Sequence, residues 1–323
     1  MFRSAGLAGL LFLSLFSAPA SAIVIASPSY SAAVSGSSPV VDGVDLSGVV
    51  ELVTDGGVGC SGSLLSDGYS VLTAAHCVTS SYGASLPTSD TATFLGNPIP
   101  DPVVAYSVDP AWTGNSTLGG DLAVLRLANP APVAGYSLYS GMLVTSPVLM
   151  AGYGYGGTGS TGGDPTDYPF GTLRAGTNEY VENGSAPALG WSSSLLVGQF
   201  YESGYPDTNA LGAAIAYASS DEVDISFGDS GGPSFYDGEI IGVHDLLACQ
   251  SAGQDTPCYT PPSINAADNS YFGEIYADTS VSDNAAWIQA QEVPEPVSSG
   301  LLGLGLAILA AIRFRSSAAR LRR

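Results

Sequence analysis

Gly228-Asp229-Ser230-Gly231-Gly232-Pro233 is a glycine-rich turn built around one serine. Small residues on both sides let a substrate backbone approach the Ser230 hydroxyl, and they leave backbone N–H groups free to face a developing oxyanion. A serine hydroxyl is a weak nucleophile until a base takes its proton. The turn therefore demands a histidine and a carboxylate elsewhere. The chain of 323 residues holds only two histidines, so the demand is easily examined.

The first histidine lies in Leu72-Thr73-Ala74-Ala75-His76-Cys77. Small neighbours and an adjacent cysteine can hold its ring at the end of a strand, facing a cleft, which makes His76 the candidate base. His244 lies within the apolar run Ile240-Ile241-Gly242-Val243-His244, where a hydrogen-bonded core histidine is the expected outcome. For the carboxylate, Asp121 follows Gly119-Gly120 and opens the largely apolar strand pattern Leu122-Ala123-Val124-Leu125-Arg126-Leu127. A buried aspartate there can accept the His76 N–H, fix its tautomer and stabilise the imidazolium. The bland alternative is a turn or capping aspartate, and Asp109 is the second candidate.

Thr73-Ala74-Ala75-His76-Cys77, Asp121-Leu122-Ala123-Val124-Leu125 and the serine turn resemble the three signature blocks of the chymotrypsin/trypsin family, in that family's order. The similarity runs from about Val49 to Gln291. Cys60 stands 17 residues before Cys77, as in the disulfide that braces the family's histidine. Gly152-Tyr153-Gly154 is similar to its Gly-Trp-Gly loop, and Trp287-Ile288 to its closing helix. The resemblance implies an all-β fold of two packed antiparallel six-stranded β-barrels with a short C-terminal helix, the barrels spanning about 40–137 and 138–291. It implies an acyl-transfer triad of His76, Asp121 and Ser230, with the N–H groups of Gly228 and Ser230 as oxyanion hole. It also implies that Asp229 receives the ammonium of a processed N-terminus. Cleavage after Ala22 would expose Ile23-Val24; cleavage after Pro39 would expose Val40-Val41-Asp42-Gly43. The second is closer to the family's start, although Asp42 replaces a glycine. Residues 23–39 are accordingly expected as a lead-in or short propeptide and 40–291 as the protease domain.

In this family the residue six before the serine forms the base of the primary specificity pocket. Here it is Asp224, which implies cleavage after Arg or Lys. A body with two arginines and no lysine also offers few sites for self-cleavage. The competing reading takes Asp221, Glu222 and Asp224 as one solvated acidic loop. Two departures bear on the pocket. Ser226 stands where the family often has a cysteine, leaving Cys249 and Cys258 to pair locally. Asp245-Leu246-Leu247 stands where it commonly has Ser-Trp-Gly. Leu247 would narrow the pocket towards small residues, whereas Asp245 would bring a second carboxylate near Asp121 and raise the pKa of one of them.

The ends carry addresses rather than fold. Arg3, the apolar run Leu7 to Phe16 and Ala18-Pro19-Ala20-Ser21-Ala22 read as a signal peptide over 1–22. Export places the four cysteines in an oxidising compartment. At the other end, Val293-Pro294-Glu295-Pro296, the apolar segment 297–312 and an arginine-rich tail resemble the PEP-CTERM sorting signal of Gram-negative bacteria over 292–323. That resemblance implies transient membrane association through 297–312, a processing protease as partner at the Pro-Glu-Pro motif, and release to the cell surface or medium.

Between Ile23 and Gln291 two arginines, Arg126 and Arg174, face 27 of the 29 acids, since Glu292 and Glu295 lie beyond. Such a body repels nucleic acid and anionic membrane surfaces. With 41 glycines, the composition favours short strands and many turns. Val281 to Gln291 is the best helix pattern, and no element or motif is assigned to 183–220. The reading is an exported serine endopeptidase, monomeric, acting on proteins or peptides without metal or cofactor. The alternatives are an inactive protease homologue that binds at the surface, which should have lost a triad member, and a structural surface protein, which should show repeats.

Overall fold

A computed structural model describes residues 23–27, 32–36, 39–54, 59–79, 90–142, 145–187, 189–201, 211, 219, 221–248 and 270–292. Residues 1–22, expected as a signal peptide, Cys249, Cys258 and the C-terminal segment from 293 onward lie outside them. Among the described residues no helix is long and apolar enough to cross a membrane.

Strand β1 (Ile23–Ile25) comes first, and a small hairpin of β2 (Val40–Val41) and β3 (Val44–Asp45) follows. The first barrel is built from β4 (Val49–Val53), β5 (Gly59–Leu64), β6 (Ser70–Thr73), β7 (Thr91–Phe94), β8 (Asn97–Val108) and β9 (Ala123–Leu127). It closes in the order β4-β5-β6-β9-β8-β7. Alternation marks β7, where Ala92 and Phe94 point inward while Thr91 and Thr93 are half-buried. In β9 only Arg126 reaches solvent. Thr73 of β6 pairs with Ala123 of β9, which sets the end of one strand beside the start of the other. His76 and Asp121 lie just past those two points.

The second barrel is built from β10 (Pro147–Gly152), β13 (Arg174–Asn183), β14 (Leu195–Gln199), β16 (Pro233–Tyr236), β17 (Glu239–Ala248) and β18 (Ile275–Ser280). Its order is β10-β13-β14-β18-β17-β16. Strand β14 falls in the stretch to which the sequence assigns no element, because Leu195-Leu196-Val197 is a short apolar run without alternation. All five of its residues are buried, as suits a strand with both neighbours in place. Both barrels are antiparallel throughout, as the family resemblance implies.

A separate four-stranded sheet joins β12 (Gly162–Gly163), β11 (Gly156–Thr158), β1 and β15 (Val223–Asp224). Strand β1 runs parallel to β11 and antiparallel to β15, with Val24 opposite Asp224. Ile23-Val24-Ile25 opens the stretch expected as a lead-in or short propeptide. It is a fully sequestered strand, because three β-branched apolar side chains gain about 1.5–3 kcal/mol each on leaving water.

One apolar cluster spans both barrels. Leu46, Val49, Leu72 and Leu122 come from the first, and Leu149, Phe235, Ile240 and Val243 from the second. Helix α2 (Val281–Gln291) occupies the residues its sequence pattern predicts. Ser280 caps it by accepting the Asp283 N–H, and Ile288 is buried in the shared cluster with Trp287 partly packed on it.

Candidate active site

Strand β6 ends at Thr73, Ala74 stays extended, and a single helical turn, α1 (Ala75–Val78), carries His76 out of the sheet. Cys77 is tied to Cys60 of β5 by a disulfide, so the turn is anchored on the residue next to His76. Asp121 is fully buried and grips this turn twice. Its Oδ1 accepts the His76 backbone N–H at 2.8 Å, and its Oδ2 meets His76 Nδ1 at 2.5 Å. Ser116 Oγ donates to the same Oδ2 at 3.3 Å. With the carboxylate on Nδ1, the ring proton sits there and Nε2 is left as the basic nitrogen. The ring itself is one-third exposed (33%).

The two groups shift as a pair. Burial works to lower the His76 pKa, but the Asp121 charge and hydrogen bond outweigh it and hold the imidazole above its ordinary value. Burial works to raise Asp121, yet the attraction of His76 and the hydrogen bonds Asp121 receives keep it below the usual carboxylate range. The runner-up Asp109 is spent elsewhere, accepting the Ala111 N–H within a turn.

The serine turn is fastened to the first barrel by Ser61 of β5. Its N–H donates to the Ser230 carbonyl at 2.8 Å, and its hydroxyl donates to the Gly228 carbonyl at 2.8 Å. The same hydroxyl accepts the Tyr153 N–H at 2.9 Å. Gly228 (φ 95°) and Gly231 (φ 81°) adopt the left-handed region that side-chain-bearing residues avoid. A Cβ on Gly231 would also run into Thr73 Oγ1 and the Ser61 carbonyl. Around the turn, Asp229 N–H donates to Ser226, Gly231 N–H to His244 and Gly232 N–H to Asp229. The N–H groups of Gly228 and Ser230 meet no acceptor among the described residues. The Cys77 sulfur lies 3.6 Å from the Ser230 carbonyl oxygen, which brings the histidine turn and the serine turn together.

The Asp229 carboxylate is buried and held by backbone donors. Its Oδ1 accepts Gly154 N–H and its Oδ2 accepts Ser226 N–H, both at 2.8 Å. Burial lifts its carboxyl to about 6, opposed by those N–H groups and by His244 and Arg174. Asp224 is fully buried too, as is Glu222, so the two do not form a solvated loop with Asp221. Asp224 Oδ1 accepts the Ile225 N–H, while Oδ2 has no donor among the described residues. Burial, then the neighbouring Glu274 charge, push its pKa well above the usual range. Glu274 gave no signal in the sequence. Its carboxylate accepts the Ser270 N–H at 2.8 Å, and Ser270 Oγ in turn donates to the Ile225 carbonyl. Ser226, which replaces a family cysteine, donates its hydroxyl to the Tyr155 carbonyl. Leu247 packs partly on the barrel cluster that holds Val223, Ile225 and Tyr276, and it stands opposite Tyr276 across the sheet.

Asp245 comes to the side of Asp121, with one carboxylate oxygen of each within 4.8 Å. It is almost fully buried, and its Oδ2 accepts the Thr279 hydroxyl at 2.9 Å. This agrees with the expectation of a second carboxylate near Asp121. The bulge between His244 and Leu246 turns Asp245 to this side. His244 is fully buried, as its apolar strand suggests, with Nδ1 3.0 Å from Asp278. Asp278 also takes the hydroxyls of Tyr180 and Ser234.

Among the described residues, two clusters each bring three metal-type ligand atoms together. In Cys60, His76 and Cys77 the sulfurs are consumed by the disulfide. In His76, Asp121 and Asp245 the ring nitrogen and the Asp121 carboxylate are already engaged with each other.

A family model described as Trypsin matches residues 31–265. No curated protein matches the chain.

Proposed function

The chain belongs to the trypsin family, and from that premise we propose that it is an exported serine endopeptidase cutting protein or peptide chains after Arg or Lys. The observation that carries the reading is the double grip of Asp121 on His76 beside a serine turn that keeps two N–H groups unused. Ser230 Oγ attacks the scissile carbonyl while His76 Nε2 takes its proton, and Asp121 stabilises the imidazolium through Nδ1–H. The carbonyl oxygen, now an oxyanion, is met by the N–H groups of Gly228 and Ser230. His76 then protonates the leaving amine, and water hydrolyses the acyl-enzyme by the reverse proton path.

The buried, half-satisfied Asp224 supports a cationic residue before the scissile bond, since a guanidinium would supply the donors that Oδ2 lacks. The burial of β1 against β15 favours Ile23 over Val40 as the mature N-terminus, because Val40 is 53% exposed on its hairpin. The domain would then run from 23 rather than 40. Signal cleavage after Ala22, removal of the Pro-Glu-Pro tail and a monomeric released form complete the proposal.

The test uses the full chain, expressed with its own signal and recovered after export. N-terminal sequencing should read Ile23, and a peptide library should be cut after Arg and Lys by wild type and not by Ser230→Ala. Equal cleavage by the Ser230→Ala protein would overturn the mechanism, and cleavage confined to Ala or Val would overturn the role of Asp224.

A further inference from the structure

Three acidic or basic side chains converge behind the exposed edge of His76. A ring nitrogen of His76 and one carboxylate oxygen each from Asp121 and Asp245 all lie within 4.8 Å of one another. Two buried carboxylates at such range cannot both carry charge without a large cost, and one of them retains a proton. Asp121 is surrounded by donors: the His76 backbone N–H, the His76 ring and the Ser116 hydroxyl. Asp245 is not. Thr279 serves its Oδ2, whereas its buried Oδ1 has no donor among the described residues. Ionised, Asp245 would leave that oxygen unsatisfied beside a second negative charge; protonated, it has a hydrogen to give.

We propose that Asp245 stays protonated in the working protein and donates a hydrogen bond to Asp121, acting as a positioning residue for the His76–Asp121 pair. The groups that face it are Asp121 ahead of β9, His76 from α1 behind Asp121, the Ser116 hydroxyl, and Thr279 from β18. The direction of its titration agrees, since burial first and the Asp121 charge second push the Asp245 pKa well above the carboxylate range. A neutral acid at this place holds the Asp121 carboxylate towards His76 without adding charge. As pH rises through its pKa the proton leaves, two carboxylates repel in a dry site, and the grip on His76 loosens. The protein thus carries an alkaline switch within its charge-relay pair.

The proposal rests on the peptidase reading of His76, Asp121 and Ser230, so the experiment has one readout that needs no activity. In the exported protein labelled with 13C at the aspartate side-chain carboxyls, the Asp245 signal is assigned by its loss in Asp245→Asn. It should remain at the protonated-acid position through the pH range where exposed aspartates titrate, and move only at higher pH. Titration alongside the exposed aspartates would overturn the proposal. In kinetics, Asp245→Asn keeps a donor but cannot ionise, so kcat should stay within about threefold of wild type near neutrality and lose the wild-type alkaline fall. Asp245→Leu, checked for folding by its melting temperature, should lower kcat about ten- to a hundredfold with KM unchanged. An Asn variant as impaired as the Leu variant, or one with the wild-type alkaline limb, would also overturn it. If Ser230 resists a serine-directed phosphonate, the peptidase reading fails while the carboxyl titration still decides the proton on Asp245.

Discussion

Ser61 binds the Ser230 carbonyl through its N–H and the Gly228 carbonyl through its hydroxyl, both at 2.8 Å, so one residue of the first barrel holds the Ser230 turn of the second. His76 and Asp121 reside on the first barrel and Ser230 on the second. Their alignment therefore depends on this seam as much as on the His76–Asp121 contact.

Ser61→Ala should weaken both stability and turnover. The change leaves the Tyr153 N–H and the Gly228 carbonyl without their shared partner, at about 1–3 kcal/mol for each buried group. Denaturant unfolding should register the loss, and kcat should fall more than KM rises, because the oxyanion side of the turn is released. Unchanged kcat with unchanged unfolding would show that the seam is set elsewhere.

The pH profile follows from the His76–Asp121 pair. Proton abstraction needs neutral His76, whose pKa is raised, so activity should rise with pH through a midpoint above the ordinary histidine value of 6.5. Stability runs the other way. A raised histidine pKa contributes stability fully present below the unfolded value and lost as pH climbs through the folded one. Steady-state rates and unfolding free energies over that window should therefore move in opposite directions, and Asp121→Asn should abolish this contribution while lowering kcat by roughly ten-thousandfold.

Asp224→Asn separates recognition from folding. Cleavage after Arg should fall by about 2–5 kcal/mol, or some thirty- to several-thousandfold, as for loss of one partner in a buried ionic contact. The unliganded protein should become more stable near neutral pH. Asp224 keeps a proton that the unfolded chain releases once pH passes the ordinary aspartate value, so stability is lost as pH rises towards its elevated folded pKa. Paired Arg and Ala substrates, with thermal unfolding of each protein, measure the two effects.

An additional residue before Ile23 tests the buried strand. Ile23 is fully buried, and Asp229 sits buried with only backbone donors on its oxygens among the described residues. An alanine added ahead of Ile23 in the processed protein should reduce kcat/KM at least tenfold, the cost of misplacing an oxyanion donor being on the order of a hundred- to thousandfold. The same addition ahead of Val40, on its exposed hairpin, should leave the rate unchanged.

What was legible in the chain were residues whose chemistry constrains their own neighbours. Ser230 needs glycines on both sides, His76 needs small residues and a brace, and Asp121 needs to open a buried strand; each requirement leaves a local mark. Helix α2 was legible as a run of apolar residues set among polar ones from Val281 to Gln291. Ser61 and Glu274 left no mark, because a lone serine in a strand and a lone glutamate near a loop are common everywhere. Strand β14 was silent because three apolar residues without alternation fit several structures.

The sequence by itself determined the two-barrel family of this protein, since Ser230, His76 and Asp121 each impose short-range steric and electronic demands on their neighbours and stand in that family's order. Only the tertiary structure decided which acids are charged and what they serve. Asp224, Asp229 and Asp245 are the same residue type in one sequence. Burial and the donors each receives leave Asp224 with one oxygen unsatisfied among the described residues, hold Asp229 by two backbone N–H groups and set Asp245 beside Asp121. Those donors come from parts of the chain up to dozens of residues away, and desolvation acts through the whole surrounding volume, so no local pattern encodes either.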